Sequence, residues 1–130
     1  EENPNFWVSP WLPQIECLSH PAMKAGLSHM GFGGTLEFLS CGVPCVTFPH
    51  FGDQFSNAKC FLDNQAGLPL VTKERNSFDF ITLITYKDPV FTEEDVFKAF
   101  NEVLTNPIYR RNVHKMKLQS MTAGGRELAC

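Results

Sequence analysis

The residues of this chain best suited to chemistry lie together at His29-Met30-Gly31-Phe32-Gly33-Gly34-Thr35-Leu36-Glu37. The run Ala25 to Ser28 before them reads as a short buried strand, and the residues after the glycines open a helix. A glycine-rich turn between strand and helix aims several backbone N–H groups and the positive end of a helix dipole at one spot. A diphosphate fits there. Gly-Phe-Gly-Gly is also an ordinary tight turn, so the flanking residues decide between the two readings.

Two other clusters flank it, Trp11-Leu12-Pro13-Gln14 and Asp53-Gln54. Trp11 in a proline-containing loop offers a flat indole face to a heterocyclic base; its other reading is a core tryptophan. Gln14 carries donor and acceptor on one side chain and can meet a base or ribose, or simply face solvent. His29 can donate to a phosphate oxygen or serve as a satisfied core histidine. Glu37 would repel a phosphate at close range but can accept both hydroxyls of a ribose; otherwise it is a carboxylate stabilised by the helix start. Asp53 and Gln54 can bracket sugar hydroxyls, and Asp53 can cap a helix at the same time. Each residue alone favours the structural account. Their order along the chain shifts the balance toward a ligand site.

The elements that must position these residues follow from the apolar pattern. Phe6-Trp7-Val8 is a candidate strand, and Pro13 holds Leu12 extended in the loop after it. Ile15 to Ser19 makes a brief helical turn. After the strand at 25–28, a helix spans about Gly34 to Cys41, with Leu36 and Leu39 inward and Gly42 at its end. Val43 to Pro49 is a continuous apolar run, as expected of a parallel strand covered on both faces. A helix capped by Asp53 follows, with Phe55, Ala58, Phe61 and Leu62 at helical spacing and Gly67 as its stop. Leu68 to Thr72 forms a strand near a sheet edge because of Pro69, and Phe78 to Tyr86 is an extra strand or a structured loop. Thr92 to Asp95 resembles a capping box with Phe91 and Val96 as its staple. Val96, Phe100, Val103 and Leu104 form the inner stripe of the next helix, and Pro107 starts the last one, running to about Met121.

Short strands alternating with helices predict an α/β domain with a doubly wound, Rossmann-like parallel sheet. Ligands of such sheets bind at the carboxyl ends of the strands. The loops at 11–14, 29–35 and 49–54 each follow a candidate strand and are expected on one edge.

Bulk properties exclude several classes. The chain has 130 residues, 43% hydrophobic and 19% charged, which suits one folded domain. A net charge of −3 without a long basic run offers no footprint for nucleic acid. The five cysteines include no CxxC pair and most sit in apolar sequence, which favours reduced thiols over a disulfide framework or a metal site. No run of 18 apolar residues appears. The opening Glu1-Glu2-Asn3-Pro4 has no signal-peptide pattern and reads as the middle of a longer chain.

From Trp11 to Ala58 the chain resembles the nucleotide-sugar-binding signature of the UDP-glycosyltransferase family. The resemblance rests on Trp11-Leu12-Pro13-Gln14, Leu18-Ser19-His20-Pro21-Ala22, His29 to Glu37, Gly42-Val43-Pro44, Pro49, Asp53-Gln54 and Asn57-Ala58. It implies that the chain is the carboxyl-terminal, donor-binding half of a two-domain GT-B enzyme, over residues 1–130. The donor-binding residues implied are Trp11 on uracil, the Leu12 backbone and Gln14 at base and ribose, and Glu37 at the ribose hydroxyls. His29, Gly34 and Thr35 would hold the diphosphate, and Asp53 and Gln54 the transferred sugar. Plant members carry Cys-Gly-Trp-Asn-Ser after the histidine, where this chain has Met30 to Gly34. Phe32 and Gly33 therefore join the donor set without the Asn side chain, leaving backbone donors. The Gly-Gly-Thr form and Phe51-Gly52-Asp53-Gln54 look like sterol-type and microbial members.

The resemblance implies a UDP-sugar as donor substrate, with no cofactor or metal, and a catalytic base in an amino-terminal acceptor-binding domain absent from this chain. The chain alone is then expected to bind UDP or UDP-sugar without transferring sugar. Its expected place is cytoplasmic or cytosol-facing if sterol-type, with the endoplasmic reticulum open for a full-length protein and membrane association undecided. Two other readings stand beside this one: the donor subunit of a split N-acetylglucosaminyltransferase, and a non-catalytic nucleotide-sugar-binding module.

Overall fold

Cys45, Val46 and Thr47 form the strand on which the computed structural model of this chain is built; it describes residues 5–70 and 91–123. In chain order the elements are α1 (Gln14–Ser19), β1 (Gly26–Ser28), α2 (Phe32–Cys41), β2 (Cys45–Thr47), α3 (Gln54–Asp63), β3 (Gly67–Pro69), α4 (Glu93–Thr105) and α5 (Pro107–Thr122). The described strands form one sheet in the order β1-β2-β3, and both pairings are parallel. Cys45 lies opposite Gly26 on one side and Gly67 on the other. The fold is therefore α/β with a Rossmann-like parallel sheet. No described helix is long and apolar enough to cross a membrane.

All three residues of β2 are buried, as a strand covered on both faces requires. Successive side chains point to opposite faces. Cys45 packs with Leu18, Met30, Phe38, Ala58, Phe61 and Val113, a core made by α1, α2, α3 and α5. Val46 packs with Leu70, Ala99, Val103 and Tyr109, the core under α4. The crossover helices α2 and α3 thus share one face and α4 closes the other, while α5 serves both through Val113 and Tyr109. Gly67 is required by close packing. A Cβ there would strike the backbone carbonyl of Cys45.

Several local expectations are met by the chemistry that suggested them. Gly42 ends α2 in the left-handed region at φ 71°. Thr92 Oγ1 accepts from the Asp95 N–H at 3.2 Å, and Asp95 Oδ2 accepts from the Thr92 N–H at 2.8 Å, which completes a capping box. Asn106 accepts from the Ile108 N–H, with Pro107 in the first position of α5.

Others are corrected. Phe6-Trp7-Val8 is no strand: the three residues are exposed and pair with no described strand. Helix α2 begins at Phe32, two residues before Gly34, and its sheet-facing residue is Phe38 rather than Leu36. The Phe38 ring fills the space that Gly26 leaves on β1, and Leu36 is 46% exposed. On α4, Ala99 joins Val96, Phe100 and Val103 on the inner face, whereas Leu104 is exposed. Helix α3 ends at Asp63, before Gly67; Asn64 and Gln65 terminate it, with Gln65 at φ 51°. Asp53 precedes α3, but its side chain makes no capping hydrogen bond. The strand expected at 68–72 is instead Gly67–Pro69, and Leu70 has already left it; residues 71 and 72, the expected strand or loop at 78–86, and Gly124 and Gly125 lie outside the described residues.

Gly67→Ala should cost about 3 kcal/mol or more, because the new methyl meets backbone that cannot yield. Gly33→Ala should be neutral or raise stability by up to about 1 kcal/mol, since a Cβ there meets nothing within 4 Å; urea unfolding of both variants checks the contrast. Burial pushes the Cys45 thiol up from 9.0 to about 12, outweighing a lowering hydrogen bond with the Ser28 backbone. A folded value above the unfolded one gives stability that is complete below pH 9 and lost as pH rises from there toward 12. Unfolding midpoints should therefore fall more steeply above pH 9 in the native chain than in Cys45→Ala.

Candidate donor-binding site

The site begins where β1 ends. Its last residue, Ser28, receives the Met30 N–H on Oγ at 3.0 Å. Met30 is fully buried and stands at φ 64°, a left-handed conformation uncommon for a side chain of this size. The chain then turns through Gly31, extended at φ −60° and ψ 153°, into α2. No side chain caps this helix. The first N–H to find a carbonyl is that of Thr35, bonded to Gly31 at 2.9 Å. The amides of Phe32, Gly33 and Gly34 precede it and have no intrahelical acceptor. Three donors and a helix dipole of ten residues thus meet at one uncapped end.

The expected donor residues are distributed around that end. Exposed His29 lies over Gly31, so near that a Cβ on Gly31 would come within 2.6 Å of the ring Nε2. Phe32 is exposed, and Gly33 faces open space, with room for the Asn side chain of the plant pattern. Thr35 donates its hydroxyl to the Gly31 carbonyl at 2.9 Å, which directs its hydrogen into the turn and leaves its oxygen as an acceptor. Glu37 falls in the second turn of α2, half-buried, and its carboxylate has no hydrogen-bond or ion-pair partner among the described residues. That position is past the first turn, where a carboxylate gains from the dipole.

Gln14, at the start of α1, reaches this end of α2: its Nε2 lies 3.8 Å from the Cβ position of Gly34. Trp11 is 76% exposed and is no core residue; Ser9 Oγ donates to its carbonyl at 2.6 Å and shapes the loop. Leu12 beside it is partly exposed. With no strand at 6–8, the loop reaches the site through the packing of α1 on α2, not through a place at a strand end.

On the neighbouring strand, the turn after β2 brings Asp53 and Gln54 to the start of α3. Gln54 is buried, and its Oε1 accepts from the backbone N–H of His50 at 2.8 Å and of Phe51 at 3.2 Å. Its oxygen therefore shapes the turn and its amide nitrogen remains the donor. Asp53 is exposed, and its Oδ2 accepts from Asn57 Nδ2 at 3.0 Å. The same Asn57 amide donates to the Met30 carbonyl at 3.0 Å and joins the two loops. Asn57 enters the sequence reading only as part of the family signature and Ser28 only as the end of a strand; neither is given a role at the site there. Asn57 was findable, because a residue four positions after Asp53 on a helix faces it; its reach to Met30 was not.

A parallel sheet covered on both faces, with an open helix N-terminus at the carboxyl end of one strand, is the arrangement of a Rossmann-like α/β domain. Residues 2–123 match the family described as UDP-glucoronosyl and UDP-glucosyl transferase. The chain belongs to the UDP-glycosyltransferase family. It is 34% identical over 111 residues to UDP-glucuronosyltransferase 1A9 of Homo sapiens, covering 85% of this chain and 18% of that protein. The crystal structure of Medicago truncatula UGT71G1 complexed with UDP-glucose superposes with a TM-score of 0.71 at 28% identity, over 92% of this chain and 25% of the other. An Os79 variant from O. sativa in complex with UDP superposes at 0.73 and 28% identity, over 95% and 26%. The fold is one half of a GT-B fold. The chain spans about a fifth of the length of the curated relatives it matches.

Gln54→Ala should lower stability by about 1–3 kcal/mol, because two backbone N–H groups lose their acceptor at once. Gln54→Glu keeps an oxygen there and should retain most of that stability, as thermal unfolding of the pair would reveal.

Proposed function

We propose that this chain is the carboxyl-terminal, donor-binding half of an inverting glycosyltransferase that moves a hexose from a UDP-sugar to an acceptor hydroxyl. The observation that carries this reading is the uncapped N-terminus of α2, flanked by Gln14 on one side and tied through Asn57 to Asp53 on the other. Trp11 stacks on the uracil ring, with the Leu12 backbone and Gln14 at base and ribose. Glu37, which has no partner among the described residues, accepts the ribose hydroxyls. The amides of Phe32, Gly33 and Gly34, with Thr35 and His29, hold the diphosphate. Asp53 and the Gln54 amide take the sugar.

In this reading the acceptor oxygen attacks the anomeric carbon from the side opposite the diphosphate. The bond from that carbon to the diphosphate oxygen breaks, and UDP leaves with the electron pair. Negative charge grows on the leaving group as this happens, and preorganised amides with a helix dipole stabilise it there. The acceptor proton passes to a general base. None of His20, His29, His50 or His114 forms an ion pair with a described carboxylate. His20 Nδ1 accepts from the Ala22 N–H, and His50 packs edge-on against Phe48. In this reading the base belongs to an amino-terminal, acceptor-binding domain.

Calorimetry of this chain with UDP, UDP-glucose and ADP-glucose tests the donor assignment. UDP and UDP-glucose should bind, ADP-glucose at least about tenfold more weakly, and Glu37→Ala should weaken UDP by a similar factor. Equal affinity for uridine and adenosine ligands would sink the assignment. Because amides and the helix dipole supply the positive field, addition of EDTA should leave UDP affinity unchanged. The chain alone should transfer no glucose to any acceptor hydroxyl.

A further inference from the structure

Asn57 has no place in the donor contacts above, yet its one amide group hydrogen-bonds to both loops that form the site. Each of its two N–H bonds is used: one goes to the Met30 carbonyl at 3.0 Å, the other to Asp53 Oδ2 at 3.0 Å. What stands at either end makes this more than a helix-surface contact. Met30 occupies the left-handed region at φ 64° although it carries a full, buried side chain, and such a conformation persists only where the surroundings hold it. Ser28 Oγ holds its N–H and Asn57 holds its carbonyl. The direction of the next peptide, and so the aim of the amides at the start of α2, depends on both.

At the other end, Asp53 is exposed and does not cap α3. Its carboxylate finds no other described partner, so Asn57 alone fixes how that group is turned. With Oδ2 engaged, Oδ1 remains to accept from a sugar hydroxyl. A planar amide joining the two loops also fixes the spacing between the carboxylate and the amides of the helix end. We infer that Asn57 is a positioning residue: it sets the Asp53 carboxylate relative to the diphosphate seat and thereby favours a nucleotide sugar over the free nucleotide. This rests on the donor reading given above.

The test is calorimetry of the 130-residue chain with UDP and with UDP-glucose, in the native form, Asn57→Ala, Asp53→Ala and the double variant. Asn57→Ala should weaken UDP-glucose about tenfold more than UDP, the size expected for losing a hydrogen bond to a charged group. In the Asp53→Ala background the same substitution should leave the ratio of the two affinities unchanged, because its target is gone. Should Asn57→Ala fail to fold, Asn57→Gln keeps the donors one methylene further out, displaces the carboxylate, and should shift the ratio in the same direction. Equal losses for both ligands, or a ratio change that survives without Asp53, would overturn the inference and leave the donor reading standing. A native chain that binds neither ligand would overturn both.

Discussion

The burial of β2 on both faces is the constraint on which the remaining structure depends. Here its neighbours run parallel and its crossovers are helices, which cover it on both faces. Cys45 and Val46 divide the core between them, one facing α2 and α3, the other α4. Parallel pairing then brings the ends of β1 and β2 to the same edge, and the two loops that carry polar side chains emerge side by side. The position of the site is a consequence of where the core had to be.

Within that edge, polar groups that ordinary folding would satisfy locally are left open or satisfied at a distance. An N-cap side chain at position 31 would close the helix end; a glycine stands there instead. Thr35 turns back to the Gly31 carbonyl, and Gln54 spends its oxygen on the backbone of its own turn. These bonds stiffen the loops and leave the first amides of α2 for a ligand. Glu37 adds a half-buried carboxylate with no partner among the described residues. A left-handed Met30 at the centre of the turn is consistent with strain kept where geometry matters.

Membership in the UDP-glycosyltransferase family and superposition on one half of a GT-B fold place these features in a larger frame. The chain covers 25% of the length of UGT71G1, so most of what such a protein contains lies elsewhere. Among the described residues, the backbone amides at the start of α2 are the groups best suited to an anionic ligand.

Much was legible in the sequence because local chemistry decides it. The glycine turn between strand and helix, the stop at Gly42, the capping box at Thr92 and the proline start of α5 each follow from backbone preferences within a few residues. The apolar run at 43–49 already announced a strand enclosed on both sides. Only the tertiary structure decided the rest. Phe6-Trp7-Val8 has the composition of a strand but finds no described partner, and strand pairing cannot be read from one segment alone. Which face of α2 is inward was set by the Phe38 ring filling the space at Gly26, a contact between residues twelve apart. Gly67, whose position suggested a helix stop, proved to be a point of backbone contact across the sheet. Asn57 shows the division most plainly. Its partner Asp53 is one helical turn away and visible in the spacing, whereas Met30 lies across the fold, where only the packing of α3 beside the turn could bring it.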